Sequence, residues 1–246
     1  MDRVIYVAMT GAREVTRQQA AVSHNLANIS THGFKQELSV FRALPVVGEG
    51  AKTRAFVLET TPRTDFTSGT VQQTGRALDV ALRGPGWIAV QDANGQEAYT
   101  RMGHLQVNQN GVMQTTNGLN VLGDAGPVSV PPEQDILIAK DGTVSTVPIN
   151  LGLNAVEIAG RIKLVNPTET DLERGDDGLF RLKSGQPAVA DANVTLISGA
   201  LETSNVNPAE AMVNMVSLAR QFEMQMRVLR AAEDNNRSAD KVLSAT

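Results

Sequence analysis

Residues 23–35 hold the side-chain types that hydrolases use as nucleophile and general base. In this segment, SHNLANISTHGFK, Ser23 is followed by His24, and His32 lies further along the chain. Adjacent residues on a helix do not face each other, so His24 is badly placed to take a proton from Ser23. A catalytic triad also needs an acid and an oxyanion hole, and the segment indicates neither. The sequence therefore predicts no catalytic residue here.

Metal and cofactor sites are equally poorly supported. The histidines are His24, His32 and His104, and they form neither an HExxH motif nor a pair spaced by four residues. The run GPGW at 84–87 lacks the third glycine and the following helix of a dinucleotide-binding loop. It predicts instead a tight turn before a core strand, with Trp87 buried. We therefore expect no metal and no cofactor.

The composition narrows the class of protein further. Across 246 residues, the net charge of -4 gives no electrostatic reason to expect nucleic acid or an anionic membrane as partner. Cysteine is absent, which excludes disulfides and thiolate chemistry. No stretch has the roughly 18 apolar residues that a membrane span needs. Charges at Asp2, Arg13 and Glu14 interrupt the first segment, so we expect no cleaved secretory signal peptide.

The first element that must position these residues is a long N-terminal helix. Its apolar residues recur at alternating steps of three and four, which indicates a heptad seam. This seam comprises Ile5, Ala8, Ala12, Val15, Gln19, Val22, Leu26 and Ile29, with one polar member. The pattern breaks at STHG, and Gly33 is a suitable C-terminal stop, so the helix is predicted to end near Gly33.

A second helix is predicted at the other end of the chain. Asn207 is a favourable N-cap, Pro208 suits the first helical position, and Glu210 suits the third. From there a second apolar seam follows, comprising Met212, Met215, Ala219, Phe222, Met226 and Leu229. Either helix alone would be marginal in water. Strict heptad spacing at both ends favours pairing of the two helices in one discontinuous module over two separate surface helices.

Between the helices the sequence predicts β structure. Short apolar runs alternate with turn pairs at Asn94-Gly95, Asn110-Gly111, Asn117-Gly118 and Asp141-Gly142, which suit hairpin positions of positive φ. Without an intervening amphipathic helix, the pattern favours an antiparallel sandwich or barrel-like domain. The predicted fold class is therefore α+β.

We expect three regions along the chain. Residues 1–37 and 203–246 form the helical module, 38–75 form an extended connector with a strand near 55–59, and 76–202 form a β-rich domain. A hinge is predicted where the helical module meets the β domain. Its residues are Asn25, Asn28, Gly33, Phe34, Asn205, Asn207 and Pro208.

Segments throughout the chain resemble the bacterial flagellar rod and hook proteins. The resemblance lies in IYVAMTGA at 5–12, QQAAVSHNLANISTHGFKQELSVF at 18–41, and TSNVNPAEAMVNMVSLARQFEMQMRVL at 203–229. The interior also matches, in TGRALDVALRGPGWIAVQ at 74–91 and in residues 99–123. His24 departs from the family signature, which has Asn at this position. Within the family the proximal rod members are most similar, and the distal rod members are the alternative.

The resemblance implies a structural subunit without catalytic activity. Such proteins form the axial rod that crosses the periplasm, surrounds the export channel and transmits torque. The partners implied are copies of the same chain, neighbouring rod proteins and the type III export apparatus, which exports the chain without cleaving a signal. Two other classes remain open at this point: a soluble protein that binds a ligand on its β domain, and an adhesion or scaffold protein.

Overall fold

The computed structural model describes residues 3–45, 55–131, 134–148 and 156–244. The chain divides into two compact units, each built from separate segments. We call Met1–Ile29, Gln36–Asp65 and Val206–Thr246 the helical unit, and Ser30–Lys35 with Phe66–Asn205 the β unit. The chain therefore passes four times from one unit to the other.

The helical unit contains both long helices, α1 (Arg3–Ala27) and α2 (Pro208–Ser244), which contact each other. None of the described helices is long and apolar enough to cross a membrane. The prediction that α1 ends near Gly33 was wrong, because the helix ends at Ala27. The amide of Gly33 donates to the carbonyl of Glu202 (2.8 Å) instead of to a helical carbonyl. A partner distant in the sequence therefore sets the conformation after α1.

The start of α2 agrees with its prediction. Pro208 is the first helical residue. The Oδ1 atom of Asn207 accepts from the amides of Ala209 (3.1 Å) and Glu210 (3.4 Å), and so satisfies donors that the first turn leaves without a helical partner.

Two antiparallel strands complete the helical unit where the sequence predicted an extended connector. They are β1 (Glu37–Pro45) and β2 (Ala55–Thr64), paired from Glu37 opposite Thr64 to Pro45 opposite Ala55. Both strands contact α1. The predicted strand near 55–59 is therefore present as part of β2. This strand is longer than predicted and pairs with β1.

The β unit consists of short strands whose assigned pairings are all antiparallel. The strands are β3 (Val71–Gln73), β4 (Val80–Arg83), β5 (Trp87–Gln91), β6 (Glu97–Thr100), β7 (Leu105–Val107), β8 (Met113–Thr115), β9 (Asn120–Gly123), β10 (Gly126–Pro127), β11 (Gln134–Ile138), β12 (Thr143–Pro148), β13 (Glu157–Arg161), β14 (Leu164–Val165), β15 (Leu172–Arg174), β16 (Phe180–Leu182), β17 (Thr195–Ser198) and β18 (Ala200–Glu202).

These strands form one large sheet and several small ones. The large sheet has the order β15-β16-β6-β5-β9-β8-β7, with β10 on β9 and β14 on β5. The smaller sheets are β11-β12-β13, β17-β4 and β18-β3. All four predicted Asn-Gly and Asp-Gly turns are confirmed, because Gly95, Gly111, Gly118 and Gly142 all have φ between 77° and 86°.

Strand β5 lies at the centre of the β unit because both of its faces are buried. Ile88 and Val90 belong to one hydrophobic cluster, which also includes residues of β4, β11, β12 and β17. Trp87 and Ala89 belong to a second cluster around Tyr99 and Phe180. Trp87 is buried as predicted. Burial of each large aliphatic side chain stabilises the fold by about 1.5–3 kcal/mol, so the core fixes this unit.

Candidate subunit interface

The predicted seam of α1 lies on the less exposed side of the helix. Ala12 and Val15 are buried, together with Ala8. Ile5, Val22 and Leu26 on the helix are half-buried, and so is Ile29 in the turn that follows it. A Cβ atom added to Gly11 would lie 3.1 Å from the side-chain amide nitrogen of Gln225, so α1 and α2 pack closely at that point.

The members of the predicted seam of α2 differ in their exposure. Met215, Met226 and Leu229 are half-buried. Met212 and Ala219 are exposed, and 36% of the surface of Phe222 is accessible to water. Ala211, which the heptad register leaves out, is buried instead.

A second apolar face of α2 is exposed, and of its members the sequence analysis identified only Met212. We call Met212, Val213, Val216, Met224 and Val228 the outer face of α2. Val213 is 68% and Val216 53% exposed, so both side chains are largely in water. A count of apolar residues on every helical face, and not only along one heptad seam, would have found it.

Glu14 is a further residue that the pattern did not predict. Its side chain is only 3% exposed, although it is charged. Its Oε1 atom accepts from Arg13 Nη2 (3.2 Å) and Arg17 Nη1 (3.4 Å), whereas Oε2 has no hydrogen-bond partner among the residues that the structure describes. Nothing in the sequence distinguishes this acid from a solvated one.

The predicted hinge residues of the helical unit make specific contacts. Asn25 is buried and pairs twice with the backbone of Glu37: its Nδ2 donates to the carbonyl (2.8 Å), and its Oδ1 accepts from the amide (2.9 Å). Asn28 donates back to the carbonyl of His24 (2.9 Å). The two asparagines therefore fix the end of α1 and the start of β1.

Asn207 and Pro208 begin α2 in the helical unit, whereas Gly33, Phe34 and Asn205 lie in the β unit. Gly33 has φ +70°, and an added Cβ would lie 2.4 Å from the carbonyl of Arg101, so only glycine fits. Phe34 is buried, with the Arg174 guanidinium 4.7 Å from its ring. The side chain of Asn205 donates to the carbonyl of Thr67 (3.1 Å).

The serine and the two histidines of the opening motif are distributed over both units. Ser23 and His24 are exposed on α1, and His24 lies 3.4 Å from a carboxylate oxygen of Glu37. His32 belongs to the β unit, where its ring lies 6.4 Å from that of His104. His104 in turn contacts Asp79 through Nδ1 (2.8 Å). In the part of the chain that the structure describes, no group of three or more potential ligands could hold a metal ion.

Three family models match the chain, and together they span both ends and the interior. "Flagella basal body rod protein" matches residues 5–35 and "Flagellar hook protein FlgE/F/G D1 domain" matches 81–146. "Flagellar basal body rod FlgEFG protein C-terminal" matches 197–242. The flagellar basal-body rod protein FlgF of Escherichia coli is 45% identical over 250 residues, which cover 99% of each chain.

The chain belongs to the flagellar basal-body rod protein family. Within this family, FlgF of Salmonella typhimurium is 44% identical over 99% of each chain. FlgG of Buchnera aphidicola is 29% identical over 93% of this chain and 95% of that relative. The identities favour the FlgF type over the distal alternative. The protein is therefore a structural, non-enzymatic subunit of the basal-body rod that assembles with other rod and hook proteins.

Proposed function

We propose that the protein enters the rod through its two terminal helices. In this proposal α1 and α2 pair as a coiled-coil module, and copies of that module form the tube around the export channel. The predicted seam and the outer face of α2 supply the contacts between subunits. Head-to-tail contacts of this kind build an open helical array, which suits an axial structure that transmits torque.

The outer face of α2 is the observation that carries this proposal. Val216 and Met224, at 53% and 57% exposed, lie on a helix whose opposite side already contacts α1. Large apolar side chains that are grouped and exposed in this way mark interaction sites in soluble proteins. A neighbouring helix that covers this face would remove it from water at about 25 cal/mol per Å² of apolar area.

The β unit has a separate role in this proposal. We propose that residues 76–202 close into a barrel-like sandwich and lie outside the tube, and that the segments around Gly33 and Asn205 act as the hinge. The first hydrophobic cluster supports closure, because it combines residues of three different sheets.

We also propose that the type III export apparatus exports the chain across the cell membrane with its N-terminus intact, and that the rod crosses the periplasm. The charges at Arg13 and Glu14, which interrupt an apolar signal segment, support this route. Sequencing of the N-terminus of the protein from purified basal bodies tests it. A start at residue 1 or 2 agrees with the proposal, and a start beyond residue 15 contradicts it.

Substitution of Val216 by Asp tests the interface. Because Val216 is largely in water, the change should leave the unfolding free energy within about 0.5 kcal/mol of the original value. Burial of an unpaired carboxylate against a neighbouring subunit is costly, so incorporation into rods and swimming motility should be lost. Complementation of a deletion strain, followed by isolation of basal bodies, measures both.

Asn214→Asp is the matched control, because it places the same charge on an exposed polar position of α2. It should assemble normally. If the Val216→Asp variant forms normal rods, the outer face of α2 is not part of the interface between subunits.

A further inference from the structure

The carboxylate of Glu202 lies at the centre of a buried ionic network in the β unit. Its side chain is 1% exposed, and those of Lys35 and Arg101 are 0% and 3% exposed. Lys35 Nζ donates to Oε1 (2.8 Å), and Arg101 Nε donates to Oε2 (2.7 Å). The amide of Gly69 donates to Oε1 as well (3.0 Å). One carboxylate thus binds three donors from three distant segments.

The cations of this network extend it to further backbone groups. Lys35 Nζ donates to the carbonyl of Thr67 (2.7 Å), and Arg101 Nη2 donates to the carbonyl of Gly84 (2.8 Å). The carbonyl of Glu202 itself accepts from the amide of Gly33 (2.8 Å). Charge-assisted hydrogen bonds in a dry environment are among the strongest that proteins make.

The segments that meet at Glu202 are those that continue into the helical unit. Ser30–Lys35 follows α1 and precedes β1, Phe66 begins the segment after β2, and Asn205 ends the segment before α2. Two of these segments approach closely at Gly69, since a Cβ added there would lie 2.0 Å from the carbonyl of Thr203. The chain therefore crosses between the two units at four points. At each point, the last residue of the β unit is within four positions of a residue of this network.

We propose that Glu202 is a positioning residue for rod assembly: its carboxylate holds at fixed spacing the three chain segments through which the β unit continues into the helical unit. The proposal rests on the assembly role proposed above and adds to it a residue outside the helices. Removal of one partner leaves buried charges without compensation, so the segments separate even where the hydrophobic core persists.

Distance measurements on the free protein test the spacing directly. The chain lacks cysteine, so spin labels can be attached to Ser30→Cys and Ser68→Cys, two exposed positions of the β unit. In the otherwise unchanged protein we expect one narrow distance distribution. Glu202→Gln should broaden it by about twofold, because the loss of charge releases Lys35 and the segments that it holds.

Glu97→Gln is the matched control. Glu97 is also a largely buried carboxylate of the β unit, and it accepts from Lys163 Nζ (2.9 and 2.8 Å). Its substitution should lower the unfolding temperature but leave the label distribution narrow. If Glu202→Gln does not fold, Lys35→Met replaces it, since this variant leaves the Arg101–Glu202 pair intact and should give the same broadening.

For the assembly test the two cysteine substitutions are left out, and each variant is introduced into motile cells. Broadening together with loss of the variant from isolated rods, with the control assembled, supports the proposal. A narrow distribution in the folded Glu202→Gln or Lys35→Met variant overturns it, and so does broadening with normal incorporation. Absence of the unsubstituted protein from rods would overturn the proposed function itself and, with it, the role of Glu202 in assembly.

Discussion

At the scale of single residues, Arg181 joins two acids of the β unit. Its guanidinium binds Asp92 Oδ2 (2.7 Å) and Asp177 Oδ2 (2.6 Å). The hydrogen bond from Arg181 lowers the pKa of Asp92, assisted by the amides of Gln96 and Asn94 and opposed by desolvation. The same guanidinium lowers the pKa of Asp177. Both carboxylates are therefore more acidic in the folded chain than in the unfolded chain.

These shifts predict the acid sensitivity of the β unit. A carboxyl whose pKa is lowered by folding stabilises the fold fully above its unfolded value, about 3.9 for Asp, and this stability is lost as the pH falls through the folded pKa. We expect the unfolding free energy to decrease as the pH falls below about 4. In Asp92→Asn that decrease should be smaller, with a loss of about 1–3 kcal/mol at neutral pH.

Denaturant unfolding between pH 2 and 7 measures this dependence, with Asp176→Asn, an exposed acid of the same loop as Asp177, as the control. The control should retain the full decrease in acid. An unchanged pH dependence in Asp92→Asn would show that Arg181 does not stabilise the fold through Asp92.

At the scale of elements, the two helix ends next to the β unit differ in what fixes them. The start of α2 is fixed by a local contact, because Asn207 caps the amides two and three residues later in the chain. The end of α1 is not local, because Asn25 binds the backbone of Glu37 and Gly33 binds the carbonyl of Glu202. This difference explains why the sequence predicted the start of α2 correctly and placed the end of α1 six residues too late.

Replacement of the cap tests how much the start of α2 depends on it. Asn207→Ala should lower the unfolding free energy by about 1 kcal/mol, because two amides of the first turn lose their acceptor. Asn207→Ser keeps a side-chain oxygen and should change the stability by only a few tenths of a kcal/mol. Denaturant unfolding of the two variants compares these values, and equal stability would mean that water replaces the cap without cost.

At the scale of the whole molecule, periodicity and turn chemistry determine the fold class, whereas long-range pairs determine the junction. The heptad steps and the Asn-Gly turns are local, and they predicted two helices with antiparallel strands between them. The Lys35–Glu202 and Arg101–Glu202 pairs join residues far apart in the sequence, and each of these residues alone resembles a solvated charge. The exposed outer face of α2 does not follow from the heptad steps, because most of its apolar residues lie beside the seam and not in it.

The different packing of the two units predicts how the chain responds to assembly. The β unit has hydrophobic clusters on both faces of β5, where Ile88, Ala89 and Val90 are fully buried. In α2, by contrast, Val213, Val216 and Met224 expose more than half of their surface. Helices with so few buried contacts open easily, whereas core strands open only with global unfolding. Assembly should therefore protect the helices much more than the β unit.

Amide hydrogen exchange, compared between the free protein and isolated rods, measures this response. In the free protein, amides of α1 and α2 should exchange quickly, and those of β5 should exchange slowly and serve as the internal reference. In rods the helices should become about as protected as β5, because neighbouring subunits cover their apolar faces. Strong protection of both helices in the free protein would contradict this prediction, since the helices would then be stable before assembly. Completion of their packing by neighbours would in that case contribute little to the formation of the rod.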